Sequence, residues 1–248
     1  MTMMNRRRAM VLMGSGATLA LPTMAEAAPP AARFDHGVAS GDPSPDGAIL
    51  WTRATPAEGQ GADIPLTWHV APLDGRDAVG LRTGRVAARA ARDFTAKVEV
   101  TGLRPGRDYR YWFESADGRR SAEGRFRTLP RGRVEDLVLA VVSCQLYPGG
   151  LFNAYDAIAK AERMDAVLHL GDYIYEYGAD GYGAAIGRKL NRLPEPAHEI
   201  VTLADYRMRH AQVKRDPDMQ AAHARTAFIC VWDDHEGAND DWIGGAEN

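Results

Sequence analysis

"DAVLHLGDYIYEY", residues 165–177, decides how the chain is read. Its first half is a continuous apolar run, the pattern of a strand buried on both faces. Gly171 breaks the run, Asp172 follows, and Tyr173, Tyr175 and Tyr177 recur at every second position. A carboxylate and a phenol three residues apart, Asp172 and Tyr175, at the mouth of an apolar strand admit two readings. Asp172 caps the next element, or it holds a metal.

Two similar runs flank this one. "LVLAVVSC" (137–144) lies upstream and "TAFICVWDDHE" (226–236) downstream, each read as a further buried strand. Between them, Phe152, Tyr155, Ile158 and Ala159 recur at helical spacing, and two more helical stretches run from about Leu203 to Lys214 and Pro217 to Ala224. Strand, helix, strand, helix, strand predicts an α/β unit with a largely parallel sheet. Each strand runs into reactive side chains: Ser143, Cys144 and Gln145; then Asp172; then Asp233, Asp234, His235 and Glu236. Ligands bind outside the carboxyl ends of strands in open α/β sheets, so parallel strands deliver all three clusters to one rim.

Acidic groups gathered this closely repel one another unless a cation is present. Oxygen donors suit calcium, magnesium, manganese or ferric iron, whereas a thiolate and a phenolate favour a transition metal. The mixed set suggests two metals with a bridging carboxylate, a device for hydrolysing phosphate esters. His235 would then protonate the leaving group or steady the transition state. "DDHE" taken alone is also what a solvated loop looks like. His169, inside its strand, reads as a satisfied core residue; His36, His69, His198, His210 and His223 carry no assigned chemistry, and Tyr173 and Tyr177 read as pocket walls.

Residues 34–128 have a different grammar. Short strands alternate with turn clusters such as "SGDPSPDG" (40–47), and "AKVEVTGLRPGRDYRYWFES" (96–115) reads as two strands about a Pro-Gly turn. This predicts a small antiparallel β-sandwich of the immunoglobulin or fibronectin kind, with Tyr109 or Tyr111 packed at a corner. A polar linker, residues 129–136, separates it from the α/β unit at 137–248.

The 248 residues are 45% hydrophobic and 25% charged, enough for a substantial core, and the formal net charge of −3 gives no electrostatic case for nucleic acid. Residues 1–27 have the grammar of an export signal: a basic start, an apolar run too short and glycine-broken to span a membrane, and the small-residue site "AEA" (25–27). Arg6, Arg7 and Arg8 before that run fit a twin-arginine signal. Two cysteines, Cys144 and Cys230, in an exported chain invite a disulfide.

Four stretches in order, "FDHGVASGDPSPDGAILWTR" (34–53), "VVSCQ" (141–145), "HLGDYIYEYG" (169–178) and "VWDDHEGANDDWIGG" (231–245), resemble the PhoD-type alkaline phosphatases. These are exported metallophosphoesterases with a β-sandwich ahead of a calcineurin-like α/β domain. The resemblance implies that Cys144 is a thiolate ligand of ferric iron (Fe3+), Asp172 the carboxylate bridging two metals, and Tyr175 a phenolate on iron. Asp234 falls where related enzymes place an asparagine ligand of a second metal, here calcium (Ca2+). His235 matches the catalytic histidine, and Asp233 and Asn239 are further candidates for the second metal or for phosphate. The implied substrates are phosphomonoesters, and diesters, at alkaline pH, hydrolysed in the periplasm or outside the cell after passage through the twin-arginine machinery, with no stable membrane anchor.

A thiolate ligand is not in a disulfide, so Cys144 reads as ligand and Cys230 as core. The family's later histidine and aspartate ligands are not found before Asn248. The chain therefore reads as an incomplete α/β domain, inactive or weakly active alone, with an open sheet edge and poor solubility. Two other classes stay open: an exported binding module with a vestigial α/β half, and a cysteine hydrolase using Cys144 with His235 as base. Residues 178–199, rich in glycine and proline, read as a flexible rim at the substrate entrance.

Overall fold

The computed structural model describes residues 31–57, 61–74 and 80–246. The export signal expected at 1–27 lies outside them. Among the described residues no helix is long and apolar enough to cross a membrane.

The elements follow in order: β1 (Ala32–Arg33), β2 (Val38–Ser44), β3 (Gly47–Arg53), β4 (Thr55–Pro56), β5 (Ile64–Pro72), β6 (Arg82–Ala88), β7 (Thr95–Val100), β8 (Asp108–Ser115), β9 (Gly124–Arg127), β10 (Leu139–Val142), α1 (Asn153–Lys160), β11 (Ala166–His169), α2 (Ala184–Leu190), α3 (Leu203–Lys214), α4 (Pro217–Arg225) and β12 (Phe228–Cys230). An antiparallel four-stranded sheet, β6-β5-β8-β9, forms one layer of the sandwich. Alternation along β8 buries Tyr109, Tyr111, Phe113 and Ser115 on one face, the period-2 signature of a half-covered strand. The three aromatic residues join Leu50, Ile64, Val70 and Phe126 in a single core. Of the two corner candidates, Tyr109 closes the turn: its hydroxyl accepts from the Arg104 amide at 2.9 Å.

The second layer is shared between the sandwich and the α/β unit. Strands β2, β3 and β7 belong to a six-stranded mixed sheet in the order β10-β11-β12-β2-β3-β7. The parallel strands β10, β11 and β12 join the sandwich where Phe228 of β12 pairs with Gly41 of β2. A Cβ at Gly41 would sit 3.0 Å from the Phe228 carbonyl oxygen, so the small residue permits this approach. One continuous hydrogen-bonded layer therefore runs from the sandwich into the α/β part.

Helices α1 and α4 cover one face of the parallel strands, with Tyr155, Ile158, Met219, Ala222, Val167 and Phe228 in a second core. α3 starts on a capping box, in which the Thr202 amide donates to the Asp205 carboxylate at 2.8 Å and the Asp205 amide to the Thr202 hydroxyl at 3.3 Å. α4 starts on Asp216, whose carboxylate accepts from the Asp218 and Met219 amides ahead of a proline at the first turn.

Three expectations need correction here. β10 is not buried on both faces; it is the sheet's edge strand, with Leu139 43% and Val141 59% exposed. β12 is only three residues long, and the chain leaves the sheet before Trp232, which is 85% exposed. Cys230 is exposed and free rather than a core residue, and Cys144 is likewise exposed and free. Leu170, Ile229 and Val231 are also exposed, so the apolar character of all three strands serves two faces, of which helices cover one.

Candidate metal centre

The carboxyl ends of β10, β11 and β12 converge through backbone hydrogen bonds. The Cys144 amide donates to the Gly171 carbonyl at 3.2 Å, the Gln145 amide to the Asp172 carbonyl at 3.0 Å, and the Val231 amide to the His169 carbonyl at 3.0 Å. Two non-glycine residues at these ends, Cys144 (φ +58°) and Asp172 (φ +56°), adopt the left-handed conformation. That conformation costs energy and concentrates at sites where a side chain must be aimed. Gly171 between strand and ligand has φ +105°, and a Cβ there would lie 2.4 Å from Asp233 Cβ and 2.5 Å from its amide nitrogen. Only glycine lets the two loops close on each other.

Candidate ligand atoms of Asp172, Asp234 and His235 all lie within 4.8 Å of one another. Asp172 is buried; its Oδ2 accepts from the Tyr175 hydroxyl at 3.1 Å, while its Oδ1 is buried with no hydrogen-bond partner. A buried carboxylate oxygen left unpaired is costly, and a cation would satisfy it. Tyr175 also lies beside Cys144, and its phenol is pushed far above its ordinary value, first by burial and then by Asp172 and Cys144. An adjacent metal ion would reverse that direction. The Asp234 carboxyl is held below its ordinary value chiefly by the Asp240 amide, which donates to Oδ2 at 2.6 Å. Oxygen and nitrogen donors thus lie around an unpaired oxygen, with the Cys144 thiol beside Tyr175, a donor set that fits a metal pair.

Two glutamates that carry no assignment in the sequence reading hold this arrangement. Glu236 accepts from the amides of Asp172 (3.0 Å), Tyr173 (2.5 Å) and Asp233 (2.8 Å), which stitches the second strand end to the third. Its D-x-x-E spacing from Asp233 is a capping box, a signal visible in the sequence. Glu176, 1% exposed, contacts His235 Nδ1 at 2.8 Å and accepts from the Asn239 amide at 2.8 Å. With Nδ1 so engaged, Nε2 is the nitrogen His235 has left for chemistry.

The other candidates fall as follows. Asp233 spends its carboxylate capping the turn at Asp234–Glu236. Asn239 reaches the centre through its backbone amide on Glu176, and its side-chain amide lies 3.4 Å from Asp240 Oδ2. Cys144 lies beside Tyr175 at the edge of the centre, and the nitrogen that His235 turns to Glu176 is Nδ1. His169 is fully buried with both ring nitrogens engaged, by Gln145 Oε1 and the Gly171 amide. Tyr175 and Tyr177 flank the His235 ring, and Tyr173 instead donates inward, its hydroxyl 2.8 Å from His223 Nε2.

Residues 178–199 form part of a cavity of about 1170 Å³ that also exposes Ser143, Cys144 and Tyr175. The expected flexible rim contains helix α2, ended by Asn191 in the left-handed conformation. It is fastened to α3 by Arg209, which donates to the carbonyls of Tyr175, Glu195 and Pro196, and by Gln212, which donates to the Leu193 carbonyl.

An antiparallel sandwich sharing a sheet with an α/β unit, and acidic, imidazole, phenol and thiol groups gathered at the strand ends, define the class: a metallophosphoesterase-type α/β domain behind a β-sandwich. The chain belongs to the PhoD-like phosphatase family, matching its N-terminal domain over residues 19–130 and its phosphatase domain over residues 139–248. It is 40% identical over 213 residues to alkaline phosphatase D of Bacillus subtilis (strain 168), covering 83% of this chain and 36% of that protein. It superimposes on a solved structure of PhoD with a TM-score of 0.74 and 38% identity, covering 82% of this chain and 39% of that one. The chain thus spans little more than a third of the length of these relatives.

Proposed function

We propose that this chain supplies the metal-binding face of an exported alkaline phosphatase that hydrolyses phosphate monoesters, and diesters, outside the cytoplasm. The observation that carries the reading is the buried, unpaired Oδ1 of Asp172 at the heart of the Asp172–Asp234–His235 group. Cys144, Asp172 and Tyr175 would hold Fe3+, and Asp172, Asp234 and Asn239 would hold Ca2+. Metals held there would supply Lewis acidity for activating water and for neutralising the phosphoryl oxygens. His235, held by Glu176 through Nδ1, presents Nε2 to protonate the departing ester oxygen. The ring faces of Tyr175 and Tyr177 fix the imidazole's plane. Residues 1–27 would direct the folded chain through the twin-arginine machinery to the periplasm or the medium.

The test is elemental analysis of the chain for iron and calcium, a visible absorption scan and hydrolysis of p-nitrophenyl phosphate. A charge-transfer band lost in Tyr175→Phe or Cys144→Ser supports the ligand set. Absence of both metals after incubation with Fe3+ and Ca2+ overturns it.

A further inference from the structure

A second cavity, of about 620 Å³, opens between the sandwich and α3 and shares no lining residue with the one beside Cys144. Four cations from three separate segments face it: Arg53 of β3, Arg92 of the turn after β6, and Arg207 and Lys214 of α3. Its lining carboxylate, Asp93, is consumed by Arg53, with contacts of 2.8 Å to Oδ1 and 3.1 Å to Oδ2. Arg92, Arg207 and Lys214 have no carboxylate partner among the described residues. His36 also lines the cavity, where burial and then Arg53 lower it to about 4, so it is neutral at neutral pH; His210 lines it too, from the exposed side of α3.

The walls are built rather than incidental. Asp93 and Phe94 adopt the left-handed conformation in succession (φ +54° and +56°), an unfavourable backbone for two non-glycine residues that carries the turn bearing Arg92 to the cavity. Arg207 straps α3 to that turn, donating to the Ala91 carbonyl at 2.9 Å. Lys214 has its ammonium 5.1 Å from the Trp51 ring centroid and 5.3 Å from that of Tyr173, with His223 Nε2 at 3.0 Å. Aromatic faces and an imidazole hold this cation where a counterion would ordinarily stand, and burial draws its pKa down to about 8. Trp51, Leu203 and Ala39 add an apolar wall.

We infer that this cavity is a binding site for an organic phosphate of nucleotide size, its phosphates held by Arg92, Arg207 and Lys214 and its ring laid against Trp51. Guanidinium forks and an ammonium converging on one space match phosphate oxygens, and a flat apolar wall beside them matches a base. The site needs no metal, which separates it from the proposed phosphatase centre.

The experiment is titration of the chain with ATP in the presence of EDTA, read by calorimetry and by quenching of tryptophan fluorescence. Saturable binding is expected, weakened at least tenfold in Arg92→Ala and Arg207→Ala and weakened by added salt. Trp51→Phe should remove the quench, and Asp172→Asn should leave the affinity unchanged. Arg92 is exposed on a turn, so Arg92→Glu tests the charge without disturbing a core. No binding, an affinity untouched by Arg92→Glu, or adenosine binding as tightly as ATP would overturn the assignment. Loss of binding in Asp172→Asn would overturn it too, by placing the nucleotide at the metal centre.

Discussion

Replacing Glu236 by glutamine keeps the side chain's shape and removes its charge, which makes it the sharpest test of how the site is held. The carboxylate accepts from three backbone amides, Asp172 and Asp233 on Oε2 and Tyr173 on Oε1. A glutamine has one acceptor oxygen. Its better orientation leaves that oxygen facing Asp172 and Asp233 and turns its NH2 toward the Tyr173 amide. One donor is then orphaned at a cost of about 1–3 kcal/mol, and two charge-assisted bonds become neutral ones at a further ~1 kcal/mol. The expected loss is therefore ~2–4 kcal/mol, a large part of a typical domain's stability. Urea unfolding at pH 7.5, followed by far-UV circular dichroism with slopes compared between variants, measures it. Metal content should fall in parallel, because Asp172 loses its anchor. A change below about 0.5 kcal/mol with unchanged metal content would show that Glu236 does not join the strand ends.

Two further outcomes follow from the same geometry. Gly171→Ala should cost about 3 kcal/mol or more, since both its φ of +105° and the 2.4 Å approach to Asp233 resist a Cβ; Gly118→Ala, at φ +82° with nothing within 4 Å, should cost about 1 kcal/mol in the same urea assay. Acid should destabilise the fold through His36 and His169, both buried and both lowered to about 4 chiefly by burial. The unfolded chain takes up these protons near pH 6.5 and the folded chain only near 4, so stability falls as pH drops through that window, by up to ~1.4 kcal/mol per unit for each histidine. His169→Gln should flatten the decline measured at pH 7, 5.5 and 4.5; an unchanged slope would refute the burial argument.

The strand ends were legible because their signals are local. A glycine followed by Asp172 and a D-D-H-E run after an apolar stretch are contained in a few residues, and the parallel topology that gathers them follows from alternating strand and helix. Glu176 was hidden because its role is a contact with His235 and Asn239, some sixty positions away, that leaves no periodic trace. Cys230 was misjudged because an apolar run reports a tendency to be buried without naming what does the burying; the same is true of Val141. α2 was missed because the glycines around Ala184–Leu190 read as loop, while the left-handed Gly183 and Asn191 that bound it are what let so short a helix start and stop. The pairing of β12 with β2 joins residues from opposite ends of the chain, and no window of sequence contains both.

That pairing has a consequence for how the molecule is made. Gly41 emerges from the ribosome early, and its partner Phe228 almost two hundred residues later. At ordinary translation speeds of roughly 5–20 residues per second, β2 waits some ~10–40 s with one edge unclaimed. The sandwich completes its own four-stranded layer during that interval, while the layer it shares with the later strands stays open. Synthesis thus leaves a long-range pairing to a late step, the kind of closure that slows folding and gives chaperones time to bind.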